Sequence, residues 1–357
     1  MKDQAIIAQA SPFYRELKKG KAYFWCTCGR SQKQPFCDGS HKGTTFEPQK
    51  FVAEEDDQEV LFCGCKLTKA GPFCDGSHNN IEGAYKEDDP VSAANITVPV
   101  APKQGAFTIL DGGCYVFSPE LAELETVGTL SYCTVVSDAL GAQHQSQFYL
   151  RLCGGLSPVM TFGGDDAVVF VASGTGKAAI GDQTFDLAQG TSLLVLAGET
   201  LQINATGDHD SVIFVSVCSP LASIGFRGVM PKDATTGHRL ATADRCVHVD
   251  ENLKQTMGER YFQMLVVKPG GGVPAAQFIG EIPTSKAVPH KHLYEEALII
   301  LSGSGFMWTD TKKAAVTGGD VIFLPRKQIH SLECSGPESL YVVGVIMPGD
   351  NPTINYY

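Results

Sequence analysis

The 357-residue sequence has no apolar run as long as the roughly 18 residues that a membrane-spanning helix needs. The order of a signal peptide is also absent, because Asp3 follows Lys2 and the apolar residues 5–8 form too short a run. We therefore expect no membrane partner and a cytoplasmic location.

Positive charge is scarce as well, since 28 Lys and Arg residues face 39 Asp and Glu residues, for a formal net charge of -11 at pH 7. A nucleic-acid backbone requires clustered positive charge, so we expect no nucleic-acid partner. One short basic run favours a solvated face or a docking patch for an acidic partner. Its members are Arg15, Lys18, Lys19 and Lys21.

Helical periodicity is the third feature that the sequence has little of. From about residue 105 onward, short β-rich runs alternate with Gly, Pro and Asp. The clearest predicted strands are 168–172, 192–196, 212–217, 298–301, 321–324 and 340–346. In similar local sequence, Gly303 follows Gly174 by 129 residues and Gly319 follows Gly190 by the same distance. The sequence predicts a mainly β fold with a duplicated β-barrel.

Composition divides the chain into three zones, and the 129-residue repeat divides the last zone into two barrels. Residues 1–87 are rich in Gly, Lys and turns, and bound metal would have to supply much of their folding energy. Residues 88–104 are acidic and contain several prolines, which predicts a linker. We place the first barrel at 105–235 and the second at 236–357.

Twelve cysteines are present, and half of them belong to two copies of the pattern Cys-x-Cys-x8-Cys-x3-His. The two sets are Cys26, Cys28, Cys37 and His41 in the first copy, and Cys63, Cys65, Cys74 and His78 in the second. The remaining cysteines are expected to be buried free thiols in a reducing compartment. They are Cys114, Cys133, Cys153, Cys218, Cys246 and Cys334.

Each copy offers three soft thiolates and one imidazole, a donor set suited to zinc, copper(I) or an iron–sulfur cluster. Zinc sites usually pair Cys-x2-Cys knuckles from two separate segments, whereas here one loop carries all four donors. The spacing therefore favours a single-loop cluster site. Asp38 and Asp75 are expected to cap the turn that closes each loop, and Gly39 and Gly76 to let it close.

Both loops resemble the CDGSH iron–sulfur family, also called NEET proteins, whose pattern is Cys-x-Cys-x2-(Ser/Thr)-x3-Pro-x-Cys-Asp-Gly-(Ser/Ala/Thr)-His. Every position matches, with Ser31 and Pro35 in the first copy and Thr68 and Pro72 in the second. The resemblance covers about residues 15–85 and implies one [2Fe-2S] cluster per copy, held by the three Cys and the His. Two copies in one chain are similar to the tandem form of the family.

A second set of metal-ligand residues has the spacing His-x-His-x3-Glu, at His290, His292 and Glu296, with His330 further along. In an extended strand, residues two apart point to one face, so the first two imidazoles can share a metal. Three imidazoles and a carboxylate suit Fe(II), Mn, Ni, Cu or Zn and leave positions open for substrate, water or O2. Glu295 is an alternative carboxylate, one residue short of the spacing.

This second set resembles both motifs of the cupin superfamily. The three departures are Thr284 and Lys327 in place of glycine and Cys334 in place of asparagine. With the offset of 129 residues, the four ligands map onto Thr161, Gly163, Ala167 and Leu201. None of these side chains can take a metal ligand's role there. The resemblance implies a bicupin whose first barrel has lost its metal site and whose second barrel binds one mononuclear divalent metal, with Fe as the first choice.

The expected function is a redox metalloenzyme, an oxygenase or oxidoreductase that acts on a small organic substrate while the clusters relay electrons. Tyr294, Trp308 and Arg326 are candidates for lining the substrate pocket. One alternative is a redox sensor or cluster donor that uses the bicupin as a binding or dimerising platform. Another is a non-redox bicupin isomerase or hydrolase. A redox partner protein and a homodimer through the cupin domains are compatible with these hypotheses.

Overall fold

A computed structural model describes residues 4–83, 86–229, 245–266 and 274–357. Their contacts form two compact units. We call the first the loop unit (Met1–Asp88, Ala287–Leu293 and Asn351–Tyr357) and the second the barrel unit (Asp89–Lys286 and Tyr294–Asp350). The predicted boundary between the barrels, at 235/236, lies outside the described residues. In the described part of the chain, no helix is long and apolar enough to cross a membrane.

The mainly β fold is confirmed, and six short 3-10 turns lie between the strands of the described residues. They are Ser77–Asn80, Asn95–Thr97, Asp111–Gly113, Pro119–Leu121, Asp138–Leu140 and Glu251–Leu253. The loop unit contains two antiparallel strand pairs. These are β1 (Phe13–Leu17) with β4 (Gln58–Phe62), and β2 (Ala22–Trp25) with β3 (Gln49–Val52).

Aromatic side chains form most of the small core of the loop unit. Phe62 is fully buried at its centre, with Phe36 and Phe51 packed edge-on against its ring and Phe73 stacked on it. Phe36 and Phe73 occupy equivalent places in the two copies, one residue before the third cysteine. The two loops therefore share one core, although each loop has few apolar residues of its own.

Two antiparallel β-barrels make up the barrel unit. The first part of its chain contributes β5 (Phe107–Ile109), β6 (Tyr115–Phe117), β7 (Glu125–Val127), β8 (Leu130–Val136), β9 (Ser146–Leu152), β10 (Gly155–Leu156), β11 (Val159–Thr161), β12 (Ala167–Ser173), β13 (Gly176–Ile180), β14 (Gln183–Leu187), β15 (Thr191–Val195), β16 (Thr200–Ala205), β17 (Ser211–Val217) and β18 (Gly225–Arg227). The second part contributes β19 (Cys246–His248), β20 (Gln255–Met257), β21 (Arg260–Val266), β22 (Ala276–Ile282), β23 (Ser285–Lys286), β24 (Glu295–Ser302), β25 (Ser304–Trp308), β26 (Lys313–Thr317), β27 (Val321–Leu324), β28 (Ser331–Cys334) and β29 (Leu340–Met347).

The six predicted strands are confirmed in β12, β15, β17, β24, β27 and β29. The sequence repeat marks equivalent turns, because Gly174 lies between β12 and β13, Gly303 lies between β24 and β25, and both have positive φ, where glycine is favoured. Gly190 directly precedes β15 and Gly319 lies just before β27, and both also have positive φ. The duplication read from the sequence is therefore a duplication of strand order.

The first part of the chain gives two short strands to a sheet of the second barrel, and the second part gives one short strand to a sheet of the first. One sheet of the first barrel has the order β19-β15-β12-β17-β9-β8-β7, and one sheet of the second has the order β20-β21-β22-β29-β24-β27-β6-β5. β6 thus pairs with β27, while β19 comes after the first barrel in sequence and pairs with β15. At both places, a strand that belongs to one barrel by its position in the sequence is hydrogen-bonded to a strand of the other barrel.

The remaining sheets close the barrels around separate cores. β14-β13-β16-β11-β18, with β10 beside β16, complete the first barrel, and β23-β28-β25-β26 complete the second. The first core includes Phe162 and Leu201, and the second includes Leu298 and Ile346. A third apolar cluster, which includes Phe170 and Phe323, joins β12 of one barrel to β27 of the other.

Candidate metal centres

In the first loop, the four predicted ligands form two close pairs. The Sγ atoms of Cys26 and Cys28 are 3.6 Å apart. The Sγ atom of Cys37 lies 3.1 Å from Nδ1 of His41 and accepts a hydrogen bond from the backbone N–H of Gly39 at 3.3 Å. Two sulfurs therefore face one position and a sulfur–nitrogen pair faces another.

The second loop repeats this arrangement. The Sγ atoms of Cys63 and Cys65 are 3.5 Å apart, and the Sγ atom of Cys74 lies 3.4 Å from Nδ1 of His78. Contact with the Cys65 thiol lowers the pKa of Cys63 to about 6, and the backbone N–H of Lys66 donates to the Cys63 sulfur at 3.2 Å. A lowered pKa favours the thiolate, which is the form that binds metal.

The distances within the pairs fit a dinuclear site. In a tetrahedral site with metal–sulfur bonds of about 2.3 Å, two thiolate sulfurs lie about 3.8 Å apart. The sulfur–sulfur distances of 3.6 and 3.5 Å are close to this value. Two protein donors per metal leave the other positions for bridging sulfide, so the donor sets fit a [2Fe-2S] cluster.

Side-chain hydrogen bonds close both turns as predicted. The Asp38 carboxylate accepts the backbone N–H groups of Gln32 at 2.9 Å and Ser40 at 3.0 Å. In the second loop, Asp75 accepts the equivalent groups of Lys69 and Ser77. Gly39 and Gly76, which follow these aspartates, have φ of 95° and 85°. The expected capping and glycine roles are confirmed.

The two sites differ in how far solvent reaches the Cys–His pair. The His41 side chain is 18% exposed and Cys37 is half-buried, whereas His78 is only 5% exposed and Cys74 is buried. Burial lowers the pKa of His78, although the nearby Asp75 carboxylate opposes this effect. The first site is therefore the more accessible of the two.

Residues 351–357 of the loop unit cover the second site. The Asn351 side chain donates to the backbone carbonyl of Asp75 at 3.2 Å, and Asn79 donates to the carbonyl of Thr353 at 3.0 Å. Ile354 and Tyr356 are buried in one cluster with Leu61 and Cys74. The ring of Tyr356 also stacks on Tyr14, with centroids 5.3 Å apart.

The predicted mononuclear site contains a compact group of three ligands. One donor atom from each of His292, Glu296 and His330 lies within 4.8 Å of the others, and all three residues are buried. Nδ1 of His330 lies 2.9 Å from the carbonyl oxygen of Gln328. When Nδ1–H donates to this carbonyl, Nε2 is the nitrogen that can bind a metal. Two imidazoles and one carboxylate are the donor composition of non-haem Fe(II) sites with open positions.

Strand parity explains why Glu296 faces the barrel interior. Side chains along β24 point alternately to its two faces, so Glu296 shares a face with Leu298. Leu298 belongs to the core of the second barrel. Gly344 on the neighbouring strand β29 leaves it room, since a Cβ atom there would lie 2.9 Å from Oε1 of Glu296. The carboxylate is thus held inside the barrel.

His290 is not a member of this compact group. Its Nδ1 atom lies 2.8 Å from the carbonyl oxygen of Val288, and the residue is half-buried. The extended strand expected for His290 and His292 is also wrong, because the chain has only isolated bridges at 290 and 291 and bends before β24 begins. Pro289 lacks the N–H that a regular ladder needs. A ligand role for His290 stays a prediction.

Glu295 is held by hydrogen bonds on the face opposite Glu296. Its carboxylate accepts the backbone N–H of Gln143 at 2.6 Å and of His144 at 2.9 Å, and its side chain is 1% exposed. Glu295 therefore ties the start of β24 to the first barrel and fixes the strand that carries Glu296. No local pattern predicts this role, since its partners lie about 150 residues away in the sequence.

The four equivalent positions of the first barrel carry two apolar side chains, a glycine and a threonine. Ala167 and Leu201 are fully buried in its core beside Phe162, and Gly163 has a φ of 72°. Thr161 is the last residue of β11. Within the described residues, these positions offer no cluster of metal ligands.

The cupin-motif departures and the pocket candidates have structural explanations in part. Lys327 takes a φ of 63°, the conformation that the expected glycine would adopt, and Cys334 is buried in the second core. Tyr294 lies in that same core. Met307 also lies in this core, so the neighbouring Trp308 points to the other face of the strand. There the indole N–H of Trp308 donates to Glu333 at 2.7 Å. Arg326 stays a prediction.

Comparison with known proteins identifies both regions. A family model described as "Iron-binding zinc finger CDGSH type" matches residues 5–42, and a "Cupin domain" model matches residues 279–346. The chain therefore combines a CDGSH region with a C-terminal cupin domain. Both regions are thus of metal-binding kinds, which supports a metalloprotein.

Two curated relatives match a short part of the chain. The chain is 54% identical over 52 residues to mouse "CDGSH iron-sulfur domain-containing protein 3, mitochondrial" and 52% identical over 54 residues to the human protein of that name. These matches span 14% and 15% of this chain. The chain spans 38% and 42% of the length of those two relatives.

Solved structures share the double-barrel fold. An oxalate decarboxylase matches with a TM-score of 0.52 at 12% identity, over 66% of this chain and 78% of its own. Procruciferin, an 11S globulin from Brassica napus, matches with a TM-score of 0.53 at 9% identity, over 65% and 83%. An enzyme and a globulin thus have the same architecture, so the fold alone does not decide the activity.

Proposed function

We propose that this protein is a redox metalloenzyme with a [2Fe-2S] cluster in each CDGSH loop and one mononuclear metal in the C-terminal cupin barrel. The observation that carries this proposal is the buried group of His292, Glu296 and His330 in a chain that also holds two Cys3His donor sets. When bound, the clusters would supply one-electron transfer, and the cupin metal would supply an open position for a small organic substrate.

Named residues have distinct tasks in this proposal. Each Cys-x-Cys pair and each Cys–His pair would hold one iron, and Glu296 with the two imidazoles would hold the mononuclear metal, with Fe(II) as the first choice. Glu295 keeps the strand of Glu296 in register through the two N–H groups that it accepts. The apolar core around Leu298 keeps bulk water away from the carboxylate.

Elemental analysis of anaerobically purified protein tests the composition. We expect four irons and four acid-labile sulfides for the clusters, plus one further metal that is lost in Glu296→Gln.

Rapid mixing with dithionite tests the coupling between the clusters and the cupin metal, because reduction of the clusters should be followed by a change in the cupin metal's spectrum. A cupin metal that never responds would contradict the redox role, and firm Mn or Zn with turnover insensitive to cluster loss would favour an isomerase or hydrolase.

A second candidate function is the donation of an iron–sulfur cluster. It is favoured by the exposure of His41 and Cys37 at the first site. Incubation with an apo-ferredoxin, followed by its absorbance, measures transfer. Fast transfer from a protein whose cupin site holds no metal would select this function over the enzyme.

A further inference from the structure

A buried lysine lies between the two CDGSH loops. The Lys66 ammonium donates to the carbonyl of Cys63 and to Oε1 of Gln34, both at 2.9 Å. It also lies over the Trp25 ring, 4.9 Å from the centroid, while the Trp25 indole donates to the carbonyl of Cys63 at 3.0 Å. Trp25 directly precedes the first loop's Cys26. The ammonium is therefore packed against elements of both loops.

This ammonium has neutral hydrogen-bond acceptors and no carboxylate partner in the described part of the chain. The residue is 8% exposed. A buried charge is costly unless an opposite charge compensates it. The structure thus places a positive charge where the polypeptide supplies no carboxylate to balance it.

The backbone at this position makes the lysine more unusual. Lys66 has a φ of 67°, and the equivalent residue of the first loop is Gly29, with a φ of 77°. Glycine adopts this left-handed conformation at less cost than any residue with a Cβ atom. At Gly29 a Cβ atom would clash with the carbonyl of Ile6, so only the second loop has space for a side chain. One lysine therefore stands between two sites.

The Cys-x-Cys pairs of both loops lie next to the groups that contact this lysine. Lys66 directly follows Cys65, and its ammonium donates to the carbonyl of Cys63. The Trp25 ring on which the ammonium packs directly precedes Cys26. Thiolates or the clusters that they bind are therefore the counter-charge.

We propose that Lys66 is a shared counter-charge that raises the reduction potential of both clusters. This inference rests on the proposed pair of [2Fe-2S] clusters. Reduction adds one electron, and hence one negative charge, to a cluster. A fixed cation in a site of low dielectric stabilises that added charge more than an exposed cation could.

A reductive titration of anaerobic full-length protein tests the proposal, with each cluster followed by visible absorbance and EPR. Lys66→Met removes the charge and keeps the length of the side chain, and we expect both midpoint potentials to fall. Lys66→Arg keeps the charge and should keep both potentials near wild type. Cys28→Ser and Cys65→Ser backgrounds, which each disable one site, assign the two signals.

Lys69→Met is the matched control, because it removes an exposed lysine from the same loop. It should leave both potentials nearly unchanged. If Lys66→Met loads poorly, Lys66→Gly provides the same measurement with the residue that the first loop uses at this position. Unchanged potentials in the loaded variant, or a shift of one cluster alone, would overturn the role of Lys66. Wild-type protein without acid-labile sulfide would instead overturn the cluster assignment.

Discussion

Two adjacent glutamates at the start of β24 have opposite surroundings. Glu296 faces the interior of the second barrel with His292 and His330, while Glu295 accepts two backbone N–H groups from the first barrel. Charge-assisted hydrogen bonds of this kind are stronger than neutral ones, and their loss leaves buried donors unsatisfied. The pair therefore separates a positioning role from a ligand role at neighbouring positions.

Glu295→Gln should destabilise the barrel unit, because a neutral amide replaces a buried carboxylate that accepts two N–H groups. We expect a loss of about 1–3 kcal/mol in the free energy of unfolding, measured by chemical denaturation. Glu296→Gln is the matched control, and it should abolish binding of the mononuclear metal with a smaller loss of stability in metal-free protein. The assignment would be wrong if the two variants exchanged these effects.

The residues predicted from sequence are those with a local signal. Spacing alone located Cys26, Cys63 and Glu296, because their partners follow within a few residues or in a known motif. Glu295 and Lys66 had no such signal, since their importance comes from partners on distant segments. The difference between Lys66 and Gly29 was visible on alignment of the two loops, but only the structure shows which groups surround the ammonium.

At the scale of elements, residues 351–357 distinguish the two CDGSH loops. They cover the Cys74–His78 side of the second loop, through Tyr356 and Ile354. Exposure of this site to water and chelators should therefore depend on how firmly this segment is packed.

Tyr356→Ala should speed the loss of the second cluster severalfold, because it removes the ring that stacks on Tyr14 and opens the site to solvent. Decay of cluster absorbance in the presence of a chelator measures this rate. A Cys28→Ser background leaves the second cluster as the sole signal. Tyr357→Ala is the control, since that neighbouring ring is 65% exposed. Equal decay in both variants would show that the segment does not protect the site.

The elements that sequence pattern predicts best are the buried strands with long apolar runs. β12, β17 and β29 were identified because both of their faces pack against a core, one inside a barrel and one between barrels. The segment around His292 was predicted incorrectly as a strand. The His-x-His spacing suggested a strand, but Pro289 and the bend before β24 prevent a regular ladder of backbone hydrogen bonds.

At the scale of the barrel unit, the two barrels share a third core. Phe170 and Phe323 belong to this cluster, and a hydrogen bond of 2.5 Å between Ser192 and Gln277 also crosses between the barrels. Domains that share a core of this kind usually unfold together. The barrel unit should therefore behave as one cooperative body.

Phe162→Ala should lower the stability of both barrels, although the side chain lies in the core of the first. We expect a loss of about 3–5 kcal/mol. Fluorescence of Trp308 reports on the second barrel, and a Trp25→Phe background makes it the sole tryptophan, since the chain has 2. Its unfolding midpoint should shift in Phe162→Ala and stay near wild type in the exposed control Leu156→Ala. An unshifted Trp308 transition would show independent barrels.

The exchange of β6 and β19 gives a reason for the survival of the first barrel, whose described residues include no cluster of metal ligands. If a descendant chain lost the first barrel, β27 would lose its neighbour β6 and present an open sheet edge, which is prone to aggregate. The two barrels are thus inherited as one unit, and selection on the second barrel also preserves the first. Single side chains of the first barrel can change by drift, but the strands that complete the sheet of the second barrel cannot easily be discarded.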